Sequence, residues 1–155
     1  MSDTPAQRLL ADRLRFPGLL PREVLILREW LRTHEREYDA WDFNVRVGAG
    51  MDPGPTFDDN IRKMALDVTR KRIDAVAVKG DSATLIEVKD RAGASAIGQL
   101  LTYLPLFRAA FPQYTTVTAM LLTNRLAPDL LPVIQATGII LAVVEVDFSS
   151  LARRS

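Results

Sequence analysis

The chain has 155 residues, 48% of them hydrophobic and 25% charged, with a formal net charge of +1. That composition describes one ordinary globular domain; it excludes a disordered or collagen-like chain and gives no global electrostatic reason to bind nucleic acid. With no cysteine and a single histidine, His34, disulfides, thiolate zinc sites, iron–sulfur clusters and histidine-built metal sites are excluded, so a bound metal takes oxygen ligands, as Mg2+ or Mn2+ does.

The first residues, MSDTPAQRLLADRLRF, carry charge throughout, so no secretory leader is expected. The longest apolar stretch, Gly138 to Val144, is too short to span a bilayer. A cytoplasmic (intracellular) protein without a membrane partner is the expectation. Residues 4 to 15 pattern as a short helix with Leu9, Leu10 and Leu14 on one side, part of an N-terminal helical extension over 1–20. Pro21 suits the first turn of a second helix running to about His34, with Val24, Leu27, Trp30 and Leu31 facing the core. Asp42 to Val47 alternates as a strand, with Phe43, Val45 and Val47 on one face. Gly48 to Asp59 is a loop by its glycines and prolines. Ile61 to Lys71 reads equally as a short helix or an irregular approach to the next strand.

Ile73 to Val78 and Ala83 to Val88 then form a hairpin, Ser95 to about Ala110 a helix, and Val117 to Leu122 a strand. Pro128 to Ala136 is a helix ending at Gly138, and Ile139 to Val146 has the β-branched content of a buried strand. This order predicts an α/β fold in which a central mixed sheet is flanked by helices on both faces, with one domain over 1–155 and its core at about 21–146.

Most of the chemistry lies in the hairpin. A two-residue Gly80-Asp81 turn pairs Lys79 with Ser82. The same register sets Asp74 opposite Glu87, with Cβ atoms roughly 4.5–5.5 Å apart. Alternation puts Lys89 on the face of Glu87 and leaves the Val88 carbonyl near the same edge. Two facing carboxylates in an apolar segment need a cation, and one divalent ion could bridge Asp74, Glu87 and the Val88 carbonyl with Lys89 beside it. The competing reading is a solvated strand end, against which Ile73, Val76, Val78, Leu85, Ile86 and Val88 weigh by being apolar on both faces.

Ile73-Asp74 followed by Glu87-Val88-Lys89 on the next strand resembles the PD-(D/E)XK nuclease superfamily, with Ile73 in place of the proline. The likeness covers roughly Pro21 to Leu122. Gln99 and Tyr103, four apart on the next helix, resemble the Gln-X-X-X-Tyr motif of the RecB and lambda-exonuclease-like branch, although Pro105 should kink or end that helix one turn later.

The resemblance implies a restriction-endonuclease-like core (αβββαβ, here with a further helix and strand). It also implies a Mg2+- or Mn2+-dependent deoxyribonuclease with DNA as substrate. Asp74, Glu87 and Val88 would hold the metal. Lys89 would stabilise charge or orient water, Gln99 would orient the metal site or DNA, and Tyr103 would contact the substrate phosphate. Many members add an acid on the first core helix; Glu23 takes that place, or else compensates the helix dipole, with Glu29 the alternative. Arg62, Lys63, Arg70, Lys71, Arg72 and Arg91 form the local basic cluster for substrate contacts.

His34, Trp30 and Trp41 read as packing residues, and Asp52, Asp58 and Asp59 as either a second metal site or loop solvation. A nuclease-fold component of a homo-oligomer, viral particle or mobile-element assembly is the alternative function, to which the apolar stretch Ile139 to Leu151 would lend a partner surface.

Overall fold

The computed structural model describes residues 16–153; the helix expected over 4–15 lies outside them. Helix α1 (Pro21–His34) is followed by strand β1 (Ala40–Val47), helix α2 (Asp59–Thr69), and strands β2 (Lys71–Lys79) and β3 (Ser82–Ala92). Helix α3 (Ala94–Ala110), strand β4 (Thr116–Leu126), helix α4 (Leu131–Thr137), strand β5 (Ile140–Val143) and a short helix α5 (Ser149–Ala152) complete the order. The sheet runs β1-β2-β3-β4-β5. Its first three strands are antiparallel, whereas β4 and β5 join in parallel. This is the expected α/β restriction-endonuclease-like core: a helix, an antiparallel three-strand meander, a helix crossover and a parallel strand.

The sheet separates two apolar layers. On one face Ile26, Leu27, Trp30 and Leu31 of α1 pack on Ile86, Val88, Met120 and Leu122. On the other, Leu100, Tyr103 and Phe107 of α3 pack on Val47, Ile73, Leu85 and Leu121. Each fully buried aliphatic side chain in these layers is worth about 1.5–3 kcal/mol over an exposed one.

Several sequence expectations change. Phe43, Val45 and Val47 do not share a face. Trp41 and Phe43 pack on the α1 side and Val45 and Val47 on the α3 side. The cause is Asn44, whose φ of 54° breaks the two-residue alternation. Asp74 lies across from it and shows the same break, since Ile73 and Val76 both face α3 while Ala75 faces α1. The ambiguous stretch from Ile61 is helix as far as Thr69, part of α2, with Lys71 already in β2; Asp58 caps the N-terminus of α2 by accepting the Ile61 N–H at 3.0 Å.

Helix α3 runs to Ala110, as expected, and passes through Pro105, which weighs toward a kink or an end. The lost N–H bond falls on the turn of exposed Leu101, while Leu100, Tyr103 and Phe107 anchor the opposite side. The last strand covers only Ile140–Val143 and is an edge strand, not a buried one, with Ile140 and Val143 exposed. Beyond it Val144, Val146 and Phe148 leave the sheet to cover the α1-side layer, so the apolar run satisfies two environments in sequence.

Candidate active site

The β2–β3 hairpin carries the expected register, from Lys79↔Ser82 to Ala75↔Ile86. Gly80, at φ 59°, supplies the left-handed position at its turn. The ladder stops there, so Asp74 is not a simple cross-strand partner of Glu87 as expected. Its side chain replaces the next backbone acceptor: Asp74 Oδ2 accepts the Val88 N–H at 2.8 Å. A residue's N–H and carbonyl leave a strand on the same side, so the Val88 carbonyl also points to the edge where Asp74 sits. The break in alternation at Asn44 and Asp74 is what turns this carboxylate toward β3.

Glu87 and Lys89 project to the α3 face, where Lys89 Nζ lies 3.3 Å from Glu87 Oε1. Glu87 is only 2% exposed and Tyr103 3%. Glu87 Oε2 is fully buried with no hydrogen-bond partner. Glu23 enters from α1; its Oε2 accepts the Leu20 N–H at 2.9 Å, so the residue caps its helix, and its charge also reaches Asp74 and Lys89. The helix-terminal role of Glu23 is thus visible, and the same carboxylate lies within electrostatic reach of the candidate site. Glu29 lies in an exposed pair with Arg32.

The electrostatics are those of a site short of positive charge. Burial pushes the Asp74 carboxyl up to about 6, against the pull of the Val88 N–H and Lys89. Burial and then the Asp74 charge push Glu87 up to about 8, which Lys89 and the Tyr103 hydroxyl only partly oppose. Burial alone would depress Lys89, but the Glu87, Glu23 and Asp74 carboxylates leave it raised. Burial and the neighbouring Glu87 carboxylate hold the Tyr103 phenol protonated well above its ordinary range.

Among the described residues no three His, Cys, Asp or Glu side chains converge as a metal cluster. The donors are two carboxylates and a backbone carbonyl, all hard oxygens. Together with the orphaned Glu87 Oε2, that set fits a divalent cation of the Mg2+ class that keeps much of its water.

Gln99 is exposed and shares a depression of about 290 Å³ with Tyr103, Thr102, Gly98 and Lys71. Lys71 is thus a basic residue that lines this depression. The other expected substrate contacts are dispersed. Arg62 makes a two-pronged ion pair with Asp52, and Arg70 donates to the Gly48 and Arg46 carbonyls. Lys63 and Arg72 are exposed. Arg91 lines a larger cavity at the end of β3, in which Arg22, Asn124 and Arg125 also take part; the sequence offered no signal for those three.

Asp58 caps α2 and Asp52 holds Arg62 and the Gly54 N–H, so two of the three loop acids serve the loop itself. His34 stacks on Trp30, with ring centroids 4.5 Å apart, and Trp41 meets Trp30 edge-on, all three within aromatic packing.

No protein-family model matches the chain, and no curated protein matches it at a significant level. Among solved structures it is similar to a repair endonuclease from Pyrococcus abyssi, at 18% sequence identity and a TM-score of 0.41. That match covers 48% of this chain and 33% of the other, about a third of its length. Likeness at this level bears on neither activity nor substrate.

Proposed function

We propose that this protein is a divalent-metal-dependent nuclease that hydrolyses phosphodiester bonds in DNA, with Mg2+ or Mn2+ held by Asp74, Glu87 and the Val88 carbonyl. The observation that carries this reading is the half-buried Asp74 beside the buried Glu87, both carboxyls pushed up by desolvation, with Glu87 Oε2 left without a partner beside Lys89. A pair so placed is costly unless a cation completes it. When bound, such a cation supplies Lewis-acid polarisation of the phosphate and a water acidic enough to attack near neutral pH.

The chain's own residues do the rest. Lys89 stays an ammonium, so it acts electrostatically on charge developing at the phosphate rather than as a base. The Val88 N–H holds Asp74 Oδ2 in place. Lys89 holds Glu87 Oε1 at 3.3 Å, and the Tyr103 hydroxyl favours the Glu87 charge from nearby, which makes Tyr103 a positioning residue. Gln99 and Lys71, in the depression beside Tyr103, are placed to meet the substrate backbone, a use in keeping with the RecB and lambda-exonuclease-like branch.

The test is cleavage of linear, circular and branched DNA with Mg2+, Mn2+ or EDTA. Wild-type protein should cleave at least one form, and only with metal. Lys89→Ala and Glu87→Gln should each lower the rate by about 10²–10³ while keeping the wild-type circular dichroism spectrum. Persistent cleavage by Lys89→Ala removes that residue from the mechanism.

A second reading, a nuclease-fold component of a larger assembly acting mainly by binding, draws on one observation. Ile61, Met64 and Val68 of α2, with Met51 and Phe57 of the preceding loop, are exposed apolar residues. Absence of cleavage on every DNA form would favour it.

A further inference from the structure

We propose that the cavity at the carboxyl ends of β3, β4 and β5 receives one unpaired nucleobase of a nucleic-acid strand whose backbone lies at the candidate active site. The proposal rests on the phosphodiesterase reading for its ligand class, but its geometry is independent. In open α/β sheets ligands bind in the crevice beyond the carboxyl ends of parallel strands. Here Arg91 comes from the end of β3, Arg125 from that of β4, and Asp147 from the chain leaving β5. The volume, about 530 Å³, lies within the range of about 300–1,000 Å³ typical of small-molecule sites.

The lining chooses among ligands. Arg22, Arg91 and Arg125 are balanced by Asp90, Glu145 and Asp147, so the cavity offers no net pull on a phosphate. It offers instead alternating donors and acceptors, to which Asn124 adds one of each kind. A base edge has that same mixture. One wall is layered: the Arg22 guanidinium carbon sits over the Phe148 ring, 4.7 Å from its centroid, and Asp90 Oδ2 holds Arg22 Nη1 at 3.3 Å. A guanidinium backed by a phenyl ring offers its outer face as a stacking surface for a planar heterocycle.

Connection to the candidate active site is short. Arg22 precedes Glu23, and Asp90 follows Lys89 on β3, where successive side chains point to opposite faces. Asp90 and Arg91, the two residues after Lys89, both line the cavity, so a phosphate at Lys89 and a base in the cavity would meet around one strand end. A base can make that turn only when it is free of a pairing partner, since a paired base must first be unstacked.

The experiment uses an oligonucleotide carrying 2-aminopurine, single-stranded or annealed to its complement, titrated with full-length protein in EDTA. Stacking in the cavity should quench the single strand, with affinity at least ten-fold above that for the duplex. Arg22→Ala and Asn124→Ala should each weaken single-strand binding about ten-fold. Phe148→Leu, which keeps apolar volume against the α1-side layer, should diminish the quench. Thermal midpoints of the variants separate lost binding from lost fold.

Equal affinity for duplex and single strand, or unchanged binding in both Arg22→Ala and Asn124→Ala, overturns the proposal. Quenching as expected without cleavage in Mg2+ or Mn2+ keeps the cavity and discards the nuclease reading. Cleavage without single-strand preference does the reverse.

Discussion

Glu87 shows how one buried atom can organise a site. Its carboxyl and that of Asp74 hold protons in the folded chain, at about 8 and about 6, that an unfolded chain releases near 4.5 and 3.8. Where the folded state binds more protons than the unfolded, stability falls as pH rises. The contribution is fully present below about pH 4 and is lost as pH climbs through the two folded values. Without divalent metal, the thermal midpoint should accordingly be lower at about pH 8 than at about pH 5.5, and Mg2+ should restore it most at the higher pH because its binding displaces those protons. Glu87→Gln should flatten the pH dependence and weaken the Mg2+ response. A midpoint that rises between these pH values in EDTA would mean that the pair is not buried as described. At this scale the site was largely legible: Asp74, Glu87 and Lys89 stand out because charge interrupts an apolar hairpin. What was not legible is the way Asp74 is held, since an aspartate that takes over a backbone acceptor leaves no trace in spacing.

Strands and helices place these residues, and β1 does so through one left-handed position. Asn44 at φ 54° swaps the faces of β1 opposite Asp74. Asparagine tolerates that conformation, whereas a β-branched side chain does not. Asn44→Val should therefore cost about 1–3 kcal/mol, read by urea denaturation, and should lower metal-dependent cleavage beyond what lost folding explains. Asn44→Gly should do neither, and equal behaviour of the two variants would remove Asn44 from the argument. On α3, Leu100→Ala should cost about 2–5 kcal/mol, because Leu100 is fully buried between the helix and the sheet. The elements themselves were readable where periodicity is strong, as in α1, α3 and the hairpin. Asn44 hid its switch because an apolar-polar alternation looks the same whichever face each apolar residue takes. The edge position of β5 was hidden for a related reason: β-branched residues suit a central strand and a half-covered edge alike. Helix α3 reaches its expected end at Ala110 despite Pro105, with Phe107 buried beyond the missing hydrogen bond.

Over the whole molecule, cohesion is uneven. The sheet, α1 and α3 share two apolar layers, but α2 contributes no buried residue to either. It is attached by the Arg46–Asp67 and Arg62–Asp52 ion pairs, by Arg70 on two carbonyls of the β1 exit, and by the Met51 N–H on Thr69. Gly50, at φ 77°, lies so close to the Leu66 carbonyl that no side chain would fit there. Exposed ion pairs contribute little and are screened by salt. The amides of α2 should then exchange with solvent deuterons well before those of β3, and faster still in about 1 M salt; equal protection of α2 and β3 would refute this. The consequence reaches the choice of probe. Both tryptophans, Trp30 and Trp41, belong to the α1-side layer, so intrinsic fluorescence follows the sheet and is blind to α2. A melting curve recorded that way would describe an intact protein at temperatures where the arm beside Lys71 had already come loose.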